Sequence, residues 1–165
     1  FLQVQRHQEL ICCDMGLVSQ VTWGLQLHLK SGLVKGHFLN TGVPHFVLIS
    51  DLSKIDLSDL GREIRNHPQF QPSGTNVNFL QKTDDNRLLV RTYERGVEEV
   101  TQACGTGCAA AAVVASHLYG MPSPIRIWVS SEASLDFIIT PEKNQATHIQ
   151  MIGDASQVFQ GSVNI

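Results

Sequence analysis

The chain has 165 residues, of which 42% are hydrophobic and 16% are charged, and its formal net charge is −3. This composition allows one globular domain with a hydrophobic core, and its weak charge gives no electrostatic reason to expect nucleic acid or an anionic membrane as a partner. No apolar run approaches the roughly 20 residues of a membrane span, and the N-terminus does not read as a signal peptide.

The first third of the chain predicts a series of short strands, because apolar and polar residues alternate between turn residues. Gly16 and the turn sequence NTGVP separate these strands. The predicted strands are residues 1–5, 9–14, 23–29, 34–39 and 45–49.

The next segment, DLSKIDLSDLGREIRNH, changes to the period of a helix. Asp56 or Ser58 could cap its N-terminus, and Pro68 would end it. The apolar face of this predicted helix carries Leu57, Leu60 and Ile64.

Strands are predicted again at 76–80 and 87–93, followed by a second helix at 105–118 that Gly120 and Pro122 would stop. The last predicted strands are residues 125–129, 134–139, 148–152 and 158–160. Strands outnumber helices, and the second helix is apolar on every side. The pattern therefore predicts an α+β fold in which a mixed or antiparallel sheet wraps around a central apolar helix.

Cys104 directly precedes the glycine-rich start of this second helix, in the sequence ACGTGCAAAA. The first amide groups of a helix have no acceptor within it, and the helix dipole favours negative charge there. A thiol in this position has its thiolate form stabilised, and the same amides could hold a carboxylate. The combination suits removal of a proton next to a carboxylate.

Other interpretations of the cysteines remain open. Cys104 could be a small buried hydrophobic residue, or it could bind zinc with Cys108, although no second ligand pair lies at a usual spacing. Adjacent Cys12 and Cys13 would point to opposite faces of a strand. The four cysteines do not have the spacing of a disulfide framework, so we expect reduced thiols and a cytoplasmic protein. The GTGCAA sequence fits a dinucleotide-binding pattern but lacks the strand that should precede it.

Three segments, in the same order along the chain, resemble the diaminopimelate epimerase family. TYERGVEEVTQACGTG resembles the second cysteine signature of that family, TGVPHFV resembles its MGNPHCV segment, and NVNFLQ resembles its asparagine-containing strand. The matches extend from Thr41 to Gly107. The resemblance implies two similar α+β halves, each with a central helix wrapped by a sheet, and an active site in the cleft between them.

The resemblance also implies a reaction. Enzymes of this family interconvert LL- and meso-diaminopimelate, in lysine and peptidoglycan synthesis, without pyridoxal phosphate, another cofactor or a metal. One cysteine, as thiolate, removes the α-proton, and a second cysteine, as thiol, delivers a proton to the opposite face. The implied partner is therefore a small amino acid, with no nucleic acid or membrane, and a homodimer is compatible with the resemblance.

The same resemblance implies roles for particular residues. Cys104 would be one catalytic acid or base. The other implied site residues are Gly105, Thr106 and Gly107, as amide donors to the α-carboxylate; Asn76 and Arg95, as ligands of the distal substrate groups; and Glu94 and His45, as a polar pair beside the reacting centre. A Glu–His contact can also be purely structural, and an asparagine at a strand start can be a turn residue.

The chain departs from the family pattern in two places. The first cysteine signature, C-G-N-G-x-R, is absent, and we expect it upstream of Phe1. On that expectation, residues 1–14 are strands of a missing N-terminal half, 15–157 form the C-terminal epimerase domain, and 158–165 form a return strand. Cys12, Cys13 and Cys108 do not lie in contexts that match the missing cysteine.

The second departure is Val43, which stands where the family usually has an asparagine that contacts substrate. Valine cannot make that hydrogen bond, so we expect a wider substrate range that includes glutamate. Two alternatives to diaminopimelate epimerase remain: a module that binds a carboxylate or phosphate without chemistry, and an isomerase related to proline racemases or phenazine-pathway enzymes.

Overall fold

A computed structural model describes residues 4–7, 10–102, 104–142, 147–156, 158 and 160–162. The strands are β1 (Val4–His7), β2 (Leu10–Leu29), β3 (Gly32–Asn40), β4 (Pro44–Ile49), β5 (Asn76–Lys82), β6 (Leu88–Tyr93), β7 (Val100–Thr101), β8 (Ile125–Trp128), β9 (Ser134–Pro141) and β10 (Thr147–Asp154). The helices are α1 (Leu57–Arg65), a 3₁₀ turn (Pro68–Phe70) and α2 (Gly105–Tyr119). The predicted α+β class with a mixed sheet is confirmed.

The sheet closes into a ring of eight strands around α2. The order is β2-β10-β9-β8-β6-β5-β4-β3, and the ring returns to β2 because β2 pairs with both β10 and β3. The pairs β4–β5 and β6–β8 are parallel, and the other pairs of the ring are antiparallel. Strand β1 pairs with β2, and β7 pairs with β6.

Strand β2 is the element that closes the ring, and its length was not predicted. The sequence predicted two strands, at 9–14 and 23–29, with a break at Gly16; that break is wrong, and Glu9 lies outside the described residues. Gly16 and Gly24 have φ of 78° and 67°, and the pairing register shifts near both. These left-handed residues form bulges that bend the strand without ending it. Its first part therefore pairs with β10 and its second part with β3.

The first of two hydrophobic cores lies inside the ring. Helix α2 is buried from Gly107 to Ala115, as its apolar sequence predicted, and its alanines let the strands approach closely. The strand side chains packed around it include Leu39, Val47, Val90, Ile127 and Phe137. Each of these larger side chains contributes about 1.5–3 kcal/mol through burial.

The second core lies outside the ring, under α1. Asp56 rather than Ser58 is the N-cap, and its carboxylate accepts hydrogen bonds from the amides of Ser58 and Asp59. The predicted apolar face packs against strand side chains of β4, β5 and β6, among them Phe46, Phe79 and Tyr93. A Cβ on Gly61 would lie 2.5 Å from the Cβ of Tyr93, so the backbone of α1 rests directly on β6.

The remaining predictions concern short or terminal segments. Strand β7 was not predicted, because its two residues carry no periodic pattern. Val158 and Gln160 do not form the predicted strand, while Phe159 and residues 1–3 and 163–165 lie outside the described residues. The division into 1–14, 15–157 and 158–165 stays a prediction, although β2 runs through its first boundary. No helix in the described part of the chain is long and apolar enough to cross a membrane.

Candidate active site

Cys104 is the N-cap of α2, with φ −134° and ψ 107°, and its side chain makes no capping hydrogen bond. The helix begins at this residue, because the amide of Cys108 donates to the carbonyl of Cys104 at 2.8 Å. The amides of Gly105, Thr106 and Gly107 therefore have no acceptor within the helix. Cys104 is partly exposed, and its Sγ atom lies 3.5 Å from Oγ1 of Thr106. The first turn of α2 thus places amides without an acceptor in the helix beside a thiol, which is the arrangement that favours anions at helix N-termini.

Two contacts fix the position of this helix terminus. The hydroxyl of Thr41, in the turn between β3 and β4, donates to the carbonyl of Thr106 at 2.9 Å. A Cβ on Gly107 would overlap Nδ2 of Asn78 and lie 3.1 Å from Oγ1 of Thr92. Only glycine lets the helix backbone rest directly on these two buried side chains of β5 and β6.

Cys108 lies one turn along the same helix and has a different environment. It is 1% exposed, and burial raises the pKa of its thiol to about 12. This thiol therefore stays protonated at neutral pH. Of the two cysteines of α2, only Cys104 borders solvent at the helix terminus.

Asn76 and Arg95, the predicted distal ligands, lie together. Oδ1 of Asn76 accepts from the backbone amide of Arg95 at 2.9 Å, and its Nδ2 donates to the carbonyl of Pro44 at 3.1 Å. Nη1 of Arg95 donates to the carbonyl of Ser73 at 3.1 Å. The amide of Asn76 thus holds three segments together, while Arg95 borders a groove of about 450 Å³ next to Phe70.

His45 lies on β4, opposite Asn76 of β5 in the parallel register, and is fully buried. Its Nδ1 is 2.8 Å from Oδ1 of Asn78, and its Nε2 is buried with no hydrogen-bond partner in the described part of the protein. Burial lowers the pKa of His45 to about 4; the hydrogen bond to Asn78 acts against this shift, and the charge of Arg95 adds to it. His45 is therefore neutral at pH 7.

Glu94 has other partners than the predicted one. Its Oε2 accepts from the hydroxyl of Thr101 at 3.1 Å, and its backbone pairs with Glu98 and Glu99 in the turn before β7. Among the residues that the structure describes, no hydrogen bond joins Glu94 to His45. Their function as a pair therefore stays a prediction.

Three residues beside the predicted site were missed by the sequence analysis: Thr41, Asn78 and Thr92. All three are at most 2% exposed, although their side chains are polar. For Asn78 a signal was present, since it stands two residues after Asn76 and strand alternation places both on one face. No group of three or more His, Cys, Asp or Glu side chains within the described ranges could hold a metal ion.

The sequence matches the family model described as diaminopimelate epimerase over residues 37–158. Among similar proteins, the diaminopimelate epimerase of Hydrogenobaculum sp. (strain Y04AAS1) is 40% identical over 143 residues, which are 85% of this chain and 50% of that protein. The diaminopimelate epimerase of Aquifex aeolicus is 42% identical over 134 residues, which are 79% of this chain and 47% of that protein. The chain thus spans about half the length of these relatives.

The fold is shared with solved structures, of which two are examples. A hydroxyproline epimerase from Agrobacterium vitis, with bound trans-4-hydroxy-L-proline, has a TM-score of 0.63 at 18% identity and covers 93% of this chain and 53% of its own. A phenazine biosynthesis protein of the PhzF family from Bacillus anthracis has a TM-score of 0.64 at 10% identity and covers 93% of this chain and 61% of its own. At these identities the likeness concerns the fold alone. The family match spans most of the chain, including Cys104 and the turn at Thr41, and on that ground this chain belongs to the diaminopimelate epimerase family.

Proposed function

We propose that this chain supplies one half of the active site of a cofactor-independent amino-acid epimerase, with Cys104 as one of its two acid–base groups. The observation that carries the proposal is the open N-terminus of α2. Cys104 occupies the N-cap without capping, so that a partly exposed thiol lies next to first-turn amides that have no acceptor in the helix. Membership of the family adds the expectation that this terminus faces a substrate.

The proposed chemistry begins with the α-carboxylate on the amides of Gly105, Thr106 and Gly107. Negative charge that develops on this carboxylate during proton removal is stabilised by the same amides and by the helix dipole. The thiolate of Cys104 takes the α-proton, and a second thiol on the other face donates a proton to the same carbon. After turnover Cys104 is a thiol and the second group is a thiolate, so the reverse direction uses the same two groups with their functions exchanged.

The second thiol is expected outside this chain. The first cysteine signature of the family is absent from the sequence, and Cys108 is buried in the core with a pKa of about 12. The relatives to which the chain is similar are about twice the length of the matched region. On this proposal, the full-length protein includes a further segment that carries the partner cysteine.

Diaminopimelate is the substrate that the names of the relatives suggest, which would place the enzyme in lysine and peptidoglycan synthesis in the cytoplasm. Arg95, on the groove of about 450 Å³, could bind the distal carboxylate, with Asn76 holding the Arg95 backbone in place. His45 and Glu94 would form a polar pair beside the reacting centre. Val43 removes one polar contact, and we extend the proposal to a slower reaction with glutamate.

The test is proton NMR of diaminopimelate and of glutamate in heavy water. This chain, supplemented with a polypeptide that carries the first cysteine signature, should cause the α-proton signal to disappear, whereas the chain alone should not. Cys104→Ser should reduce exchange by about 10²-fold or more, because a serine hydroxyl is a far weaker acid than a thiol and stays protonated at neutral pH, so that it supplies no base. Cys108→Ala is the matched control and should exchange like the parent.

Each alternative has its own result. Exchange that survives Cys104→Ser would remove Cys104 from the mechanism. Binding of diaminopimelate that alkylation of Cys104 does not affect, together with no exchange in the supplemented protein, would favour a module that binds carboxylates without chemistry. Exchange with proline in place of diaminopimelate would favour a relative of the proline racemases.

A further inference from the structure

The buried polar groups under the first turn of α2 form a chain of hydrogen bonds that runs from β6 to β4. Nδ2 of Asn78 donates to Oγ1 of Thr92 at 2.7 Å, and Oδ1 of the same amide lies 2.8 Å from Nδ1 of His45. All three residues are at most 1% exposed. Each residue lies on a different strand of the ring, so the hydrogen-bond chain is fixed at three points.

This arrangement determines which nitrogen of His45 carries its proton. An amide oxygen can only accept a hydrogen bond, so the ring nitrogen that faces it must be the donor. Asn78 directs its NH₂ group to Oγ1 of Thr92 and its oxygen to Nδ1 of His45. The neutral imidazole is therefore protonated at Nδ1, and Nε2 keeps a free lone pair.

That lone pair has no partner in the part of the chain that the structure describes, although the atom is fully buried. A buried polar atom without a hydrogen bond is unfavourable, and it is expected where a ligand or another group completes the site. The site described above is adjacent, because Asn78 touches Gly107 in the first turn of α2 and His45 pairs in register with Asn76. Nε2 of His45 is therefore an unpaired hydrogen-bond acceptor close to the proposed catalytic site.

We infer that Asn78 and Thr92 are positioning residues that hold His45 in the tautomer protonated at Nδ1, so that Nε2 accepts a hydrogen bond from a proton donor in the assembled active site. The consequence for catalysis rests on the proposed function, whereas the tautomer does not. Neither residue has to touch substrate for this effect, since both act through the imidazole of His45. Gly107 belongs to the same device, because any side chain there would displace the amide of Asn78.

The direct test is the protonation pattern of His45 in the full-length protein, labelled with ¹⁵N-histidine and assigned with a His45→Gln variant. Two-bond ¹H–¹⁵N correlation spectra distinguish the two tautomers. We expect a protonated Nδ1 and an unprotonated Nε2 at pH 7. A proton on Nε2 would mean that the amide of Asn78 has the opposite orientation and would overturn the inference. This measurement needs no variant that might fail to fold, apart from the one used for assignment.

A matched pair of variants then tests what the hydrogen-bond chain from Thr92 to His45 does for the reaction. Thr92→Val removes the acceptor behind Asn78 at nearly constant volume, and Thr92→Ser keeps the hydroxyl. Thr92→Val should give a mixture of His45 tautomers and a kcat that is lower by about tenfold or more, with KM changed by less than about threefold. Thr92→Ser should keep both the His45 tautomer and the kcat of the parent.

Asn78→Leu should have the larger effect on both readouts, since it removes the acceptor itself. If Thr92→Val leaves the tautomer and kcat of the parent unchanged, the positioning role is wrong. If His45 is protonated at Nδ1 but the full-length protein exchanges no α-proton, the proposed function fails while the tautomer inference is supported.

Discussion

The N-termini of the two helices are built in opposite ways. At α1, the carboxylate of Asp56 accepts from two first-turn amides at 2.9 and 3.0 Å, and Asp59 adds a negative charge in the first turn. At α2, Cys104 makes no capping hydrogen bond, and the first turn contains no acidic residue. A side-chain cap is worth about 1 kcal/mol, and α2 does without it.

The difference follows what each helix does in the fold. Helix α1 covers the outer face of the ring and needs only to stay in place, so its own sequence satisfies its terminal amides. Helix α2 is held by burial from Gly107 to Ala115 and does not depend on a cap. Its free amides can therefore serve a ligand. The comparison teaches that a well-buried helix can leave its terminal amides uncapped without being weak, which is the arrangement that the proposed carboxylate site requires.

The largest expected effect concerns His45, which lies beneath the open terminus of α2. Its pKa is lowered to about 4, so the unfolded chain binds a proton that the folded protein does not bind between pH 6.5 and about 4. Stability should therefore be complete above pH 6.5 and fall by roughly 3 kcal/mol as the pH drops through this window. Urea unfolding at several pH values measures this loss of stability.

His45→Gln is the control, because it removes this contribution and should flatten the curve. His37, whose pKa is also lowered by burial, should leave a smaller slope of the same sign in that variant. The hydrogen bonds from Lys54 and Ser53 lower the pKa of Asp51 to about 2, so its contribution is lost only at more acid pH. An identical slope in the parent and in His45→Gln would contradict the buried, neutral state of His45.

A second variant tests the close contact between the backbone of α2 at Gly107 and the side chain of Asn78. Gly107→Ala would force its methyl group into Nδ2 of Asn78, whose amide is held at both ends. We expect a loss of about 2 kcal/mol from overpacking and from a disturbed buried hydrogen bond. Gly105→Ala, where the new Cβ would meet only the flexible Met151 side chain at 3.3 Å, is the matched control. Equal midpoints of urea unfolding for both variants would show that Gly107 does not rest on Asn78.

The smallest expected effects come from substituting the N-cap residue of each helix. Asp56→Ala should lower stability by about 1 kcal/mol, since two amides of α1 lose their acceptor. Cys104→Ser should raise stability by about 0.5 kcal/mol, because serine is a good N-cap and the residue already has extended backbone angles. Chemical denaturation of the full-length protein compares the two. A loss of stability in Cys104→Ser would mean that the thiol contributes a contact that serine cannot replace.

Much of the fold was readable from local patterns. The apolar sequence after Cys104 predicted the buried helix, and the period of segment 51–67 predicted α1 with a cap at Asp56 or Ser58, of which the structure has Asp56. The path of β2 was not readable, because Gly16 and Gly24 resemble strand ends in sequence, and only pairing with β3 and β10 keeps the strand continuous. Closure of the ring depends on contacts between residues far apart in the chain, which no local pattern contains.

The candidate site shows the same limit. Cys104 was found because a thiol before a glycine-rich helix start has a local chemical meaning. Thr92 was missed because it is an ordinary strand residue until Asn78 is placed beside it. The separate partners of Glu94 and His45 likewise depend on which strands are neighbours.

Ring closure through β2 also sets an order of events during synthesis. Of the described strands, β2 is the second to leave the ribosome, and its partner β10 is the last. Helix α2, which contacts β8, β9 and β10 on one side, is completed before any of these three strands exists. The nascent chain therefore carries an apolar helix with an uncovered flank until residue 154 has emerged. A pause in translation after Tyr119 should prolong that exposure. Chaperone binding to stalled nascent chains of increasing length would measure it.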